Sequence, residues 1–126
     1  MKRSLPTPSI RDIKRLYLSG NPVPFPSTTK FFNLVYLELA MCSLTALPSS
    51  FASLVPNVRT LNLNFNFLDS IEPIAGMERL SKLSIVGARL GKCRGVVEVL
   101  RTLPELESVD LRFVLPPPSS LPHGED

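Results

Sequence analysis

Between Val58 and Leu68, in the stretch VRTLNLNFNFL, apolar side chains stand at 58, 61, 63 and 68 and an asparagine at 66. The alternation around Leu61 and Leu63 predicts a β-strand, because successive side chains of a strand point to opposite faces. Both leucines then face one side, and Thr60, Asn62 and Asn64 face the other. This V-x-x-L-x-L-x-x-N-x-L frame recurs along the chain. It reads Ile13, Leu16, Leu18, Asn21, Val23, then Leu34, Leu37, Leu39, Cys42, Leu44, and downstream Leu80, Leu83, Ile85, Ala88, Leu90. A worn last copy reads Leu106, Val109, Leu111, Val114. The copies start at 13, 34, 58, 80 and 106, with spacings of 21, 24, 22 and 26 residues. Units of this length cannot bury an apolar face alone and must stack.

Stacked copies require parallel strands, and parallel strands require a crossover over the opposite side of the sheet. The intervening segments supply it. LPSSFASL (47–54) offers Leu47, Phe51 and Leu54, and IEPIAGM (71–77) offers Ile71, Ile74 and Met77. GVVEVLRTL (95–103) places Val96, Val97, Leu100 and Leu103 on a helical stripe, so the longest copy carries a true helix. The chain has 13 prolines, and none interrupts an LxL core, as central strands demand.

The asparagines now separate by position. Asn66 sits where the chain leaves the strand and turns inward, and a buried amide there can satisfy backbone groups of the turn. Asn21 holds the same place in the first copy, and Cys42 is a weaker donor in the second. Ala88 and Val114 cannot hydrogen-bond through their side chains, so the ladder should weaken toward the C-terminus. Asn62 and Asn64 lie at outward positions and are expected at the surface.

In motif and period the copies resemble the leucine-rich repeat, over residues 13–116. The resemblance implies an α/β solenoid of about five repeats, with a parallel concave sheet and short helices or irregular turns on the convex side. Residues 1–12 read as a loose N-terminus or weak cap, and 117–126 as a disordered proline- and serine-rich tail. The repeat lengths and the absence of cysteine-rich flanks resemble the intracellular eukaryotic type. The segment LNLNFNFLDSIEPIAGMERLSKLSI is similar to regulatory subunits of type-1 protein phosphatase and to spindle-pole and septation scaffolds. That resemblance implies a non-enzymatic, protein-binding scaffold in the cytoplasm or nucleus, without a cofactor.

On the concave face the candidate partner-binding residues are Arg15, Tyr17, Tyr36, Glu38, Met41, Asn62, Asn64, Phe65, Lys82, Asp110, Arg112 and Phe113. Tyr, Met, Phe and Arg are the types enriched at interfaces. The competing reading is an ordinary solvated strand face, with Phe65 and Phe113 tucked against neighbouring turns. The first strand is expected to be the less protected edge, since only Leu5 and Ile10 precede it as covers, whereas Val114, Leu115, Leu121 and several prolines follow the last. Self-association through that first edge is one expectation.

Composition adds little chemistry. The chain has 126 residues, 44% of them apolar, and a net charge of +3, which fits one domain with a modest core. No run is long enough for a transmembrane helix, and the N-terminus lacks the apolar stretch of a signal peptide. Two cysteines make no disulfide framework and point to a reducing compartment. The single histidine, His123, has no fixed partner in the tail, and Cys93, between Lys92 and Arg94, lacks a placed base. There is no metal-ligand spacing and no phosphate loop. Two alternatives to a partner-binding module stand: a structural piece of a longer repeat protein, or a weak polyanion binder using Arg89, Lys92 and Arg94.

Overall fold

Five three-residue strands punctuate the chain: β1 (Arg15–Tyr17), β2 (Tyr36–Glu38), β3 (Thr60–Asn62), β4 (Lys82–Ser84) and β5 (Ser108–Asp110). The computed structural model describes residues 12–22, 30–88 and 93–112. The strands pair in parallel and in chain order, so each repeat touches only its neighbours. The register keeps the frame intact: Leu16, Leu37, Leu61, Leu83 and Val109 form one row across the sheet.

Within that row Leu37, Leu61 and Leu83 are buried, and so are the next row, Leu39, Leu63 and Ile85, and the leading Leu34, Val58 and Leu80. The crossovers close the core from the other side. Helix α1 (Phe51–Leu54) buries Phe51 and Leu54, and Leu47 packs beside them. A 3-10 turn, Glu72–Ile74, carries the shorter third crossover and buries Ile74 between Ile71 and Met77. Helix α2 (Cys93–Leu100) belongs to the longest repeat, as its length predicts. Val96 and Val99 of the helix and Leu103 just beyond it are buried in the core, and Leu100 is partly buried against it. Val97 is 46% exposed, whereas Val99 is only 6% exposed. The expected stripe therefore shifts by one side chain: positions spaced three and four apart face the sheet, and Val97 does not share that spacing with Val96.

The ladder is visible at Asn66, which is 2% exposed. Its Oδ1 accepts the backbone N–H of Cys42 at 2.9 Å and of Leu44 at 3.1 Å. Its Nδ2 donates to the carbonyls of Leu39 at 2.8 Å and Leu63 at 3.0 Å. Cys42 repeats part of this pattern, with Sγ donating to the Leu18 carbonyl at 3.2 Å. Asn21, expected to be buried like Asn66, is exposed and bonds its own repeat at Leu18 and Ser19. Among the described residues its side chain bonds no turn but its own. The ends of the stack are open among the described residues: Ile13, Leu16 and Leu18 are only partly buried, and Val109 is 36% exposed. The expected covers, Leu5, Ile10, Val114, Leu115 and Leu121, lie outside the described residues, as do Val23, Leu90, His123 and the tail.

Candidate protein-interaction face

On the face of the sheet opposite the core, the flanking residue of each strand lies in one of two columns. Arg15, Tyr36, Thr60, Lys82 and Ser108 form the first, and Tyr17, Glu38, Asn62, Ser84 and Asp110 the second. The sequence-predicted residues of the strands are thus brought together on one surface. Phe113 lies outside the described residues, as do Arg89 and Lys92 and the side chains of Cys93 and Arg94.

At the β1–β2 end the rings of Tyr17 and Tyr36 pack with centroids 5.0 Å apart and planes tilted by 38°. The Tyr36 hydroxyl donates to Glu38 Oε1 at 3.0 Å. Burial first, and then this hydrogen bond to a carboxylate, raise the Tyr36 phenol above its ordinary pKa. The pair is an aromatic surface with a polar handle, the amphipathic chemistry that favours tyrosine at interfaces. At the β5 end Arg112 meets Asp110 in the same strand segment, with Nη2 2.7 Å from Oδ2 and Nε 2.9 Å from Oδ1. The guanidinium, and after it the Arg112 backbone N–H, hold the Asp110 carboxyl below its usual value.

Asn62 and Asn64 are not free surface groups. Both are half-buried. Asn64 Oδ1 accepts the Val86 N–H at 2.7 Å and the Ser84 hydroxyl at 2.6 Å, and Asn62 Oδ1 accepts the Asn64 N–H at 2.9 Å. A rule across repeats explains this. Where each chain leaves its strand, one backbone N–H turns away from the ladder and needs a side-chain acceptor. Ser19 Oγ serves Ala40 at 3.0 Å and Asn64 serves Val86, each across the repeat boundary. Asn62 serves Asn64 and Asp110 Oδ1 serves Arg112, at 3.2 Å, each within its own repeat. A repeat-crossing acceptor is absent wherever the preceding repeat has Ala40 or Val86, and the local acceptor then substitutes.

The next position is left-handed in four successive repeats: Gly20, Met41, Phe65 and Gly87 have φ of 81°, 53°, 58° and 81°. A Cβ on Gly87 would stand 2.8 Å from Phe65 Cδ1, so the Phe65 ring rests on the bare glycine. The ring is tucked against the neighbouring turn on one side, as the competing reading expects, and open to solvent on the other. Phe67, two residues on, is exposed and was no candidate in the sequence. Its only signal there was an aromatic side chain at a polar frame position.

Among the described residues no group of histidine, cysteine and carboxylate side chains could hold a metal ion. Nor, among the described residues, is any helix long and apolar enough to cross a membrane.

The leucine-rich repeat family model matches residues 33–54, the repeat built on β2 and α1. Over 103 residues, 81% of this chain, the sequence is 37% identical to the septation initiation network scaffold protein cdc11 of Schizosaccharomyces pombe. The match spans 10% of that protein's length. No solved structure gives a significant match. The family match falls on the second copy of the frame, the other copies stack on it in the same register, and the chain is thus built of leucine-rich repeats, with sequence similarity to a septation scaffold.

Proposed function

We propose that this chain is a non-enzymatic scaffold module that binds a partner protein on the solvent face of its sheet. The observation that carries it is the Tyr17–Tyr36 pair, packed diagonally across β1 and β2, with Tyr17 open to solvent opposite Glu38. The scaffold role named for the yeast relative supports the same reading, and with it a location inside the cell. Replacing Tyr17, Tyr36 and Phe65 together with serine should abolish affinity capture of the partner, identified by mass spectrometry, while the circular dichroism is kept. A control triple, Glu98, Arg101 and Glu105 to alanine, changes exposed residues of the α2 crossover and its following turn and should leave capture intact. Loss in the control but not in the aromatic triple sinks the assignment. A steep loss of capture with salt, in either chain, would favour polyanion binding instead.

A second reading is favoured by the 10% share of the relative's length and by the partly exposed Ile13, Leu16 and Leu18 on the β1 edge. In it the chain works as one unit of a longer array, or associates with itself through that edge. Light scattering across a concentration series tests the latter.

A further inference from the structure

Just past each of the first four strands one position is left-handed, a conformation glycine adopts freely and other L-residues adopt at a cost. Gly20 and Gly87 meet it without strain, but Met41 and Phe65 do not. These two side chains are also 59% and 47% exposed, and Phe67 beside them is 60% exposed. Neither burial nor backbone preference accounts for large apolar groups here. Strain of this kind, kept by a surrounding network, points to function. That network is present: Asn66 and Asn64 tie the turns of three successive repeats together, and Gly87 seats the Phe65 ring. The ledge is preformed.

It is also without charge. The segments 40–44, 64–68 and 86–88 contain no Asp, Glu, Lys, Arg or His. A charged occupant would lose hydration against these side chains with no counter-charge on the three segments themselves, whereas an apolar one gains contact. The three half-exposed side chains present on the order of 300 Å² of apolar surface, judging from the area of an aromatic side chain. A stable dimer buries roughly 800 Å² on each copy, so a second copy of this chain is not held by the ledge alone.

We infer that Met41, Phe65 and Phe67 form the anchor for a neutral, apolar stretch of a partner polypeptide, which then continues across the sheet face. This rests on the proposed protein-binding role and locates its strongest contacts at the strand ends, including a residue that the strand columns do not contain.

The test uses a displayed library of short random peptides, with selected peptides then synthesised and titrated. Selected peptides should carry two or more uncharged apolar side chains and bind with little dependence on salt. Affinity should fall roughly tenfold or more in a Met41→Gly, Phe67→Ser variant, the scale of losing hot-spot contacts. The same variant should melt within a few degrees of the parent, because glycine relieves the left-handed strain at 41 as it adds unfolded-state freedom. Met41→Gly alone is the second variant, and a large fall in its melting temperature would assign the side chain to the fold and overturn the inference. Peptides lost with Tyr17→Ser, Tyr36→Ser but kept in the ledge variant would overturn it while leaving the sheet-face function standing. Failure of the library to yield any peptide overturns both. A wild-type dimer, or binding to phosphatidylcholine vesicles, that disappears in the ledge variant would assign the ledge to a second copy or to lipid and likewise overturn it.

Discussion

Asn66 Oδ1 accepts the backbone N–H of Cys42 at 2.9 Å, so the ladder residue of one repeat is bonded to the backbone at the ladder position of the repeat before it. All of the Asn66 side-chain hydrogen-bonding groups are committed in this way. Asn66→Ala should cost about 1–3 kcal/mol, since buried donors and acceptors lose their partners. Asn66→Asp should do no better, because a carboxylate cannot donate to the Leu39 and Leu63 carbonyls. Chemical denaturation of the two variants measures this.

Asn64 uses only its oxygen across the repeat boundary, and the opposite pattern is expected there. Asn64→Asp keeps the acceptor and should lie within about half a kcal/mol of the parent. Asn64→Ala strands the Val86 N–H and should cost about 1 kcal/mol. An alanine variant as stable as the parent would remove the asparagine from the scaffold.

Gly20 and Gly87 share the same left-handed φ but not the same surroundings. A Cβ on Gly20 meets nothing within 4 Å, while one on Gly87 strikes the Phe65 ring. Gly20→Ala should therefore cost about 1–2 kcal/mol from backbone strain alone. Gly87→Ala should cost more, and adding Phe65→Ala should recover the excess, in a double-mutant cycle with a coupling of about 0.5–3 kcal/mol.

The α2 register is tested by charge. Val97→Asp should be tolerated within about half a kcal/mol, as surface changes are. Val99→Asp should cost about 3–5 kcal/mol, the scale of an uncompensated buried charge. Thermal melts of the pair would show the reverse order if Val97 faced the core.

Asp110 carries a pH signature. Its carboxyl is depressed by the Arg112 guanidinium, so whatever the pair contributes is present above the unfolded value and lost as pH falls through the lower, folded one. An NMR titration should place the Asp110 midpoint below about 3.9, and Arg112→Gln should raise it toward that value. An unchanged midpoint in the variant would show that the ion pair does not form in solution.

The repeat is written in the sequence because its cause is local and periodic. Alternating Leu61 and Leu63, a turn amide at Asn66 and an apolar crossover at Phe51 or Ile74 recur in order, and stacking is the one way to bury them all. The parallel order, the register row and the role of Asn66 follow from that frame alone. What the tertiary structure decided depends on the neighbouring repeat. Asn64 stops being a surface residue because Val86 and Ser84 of the next repeat donate to it, and Asn21, at the same frame position as Asn66, is exposed and bonds its own turn. Val97 and Val99 are equally apolar, and only docking on the sheet selects between them. Met41 and Phe65 read as outward-facing in one dimension, and Phe67 shows only an aromatic side chain at a polar frame position. The left-handed turn that aims Met41 and Phe65, and the bare Gly87 on which the Phe65 ring rests, belong to the folded backbone and the neighbouring repeat, which the hydrophobic pattern does not encode.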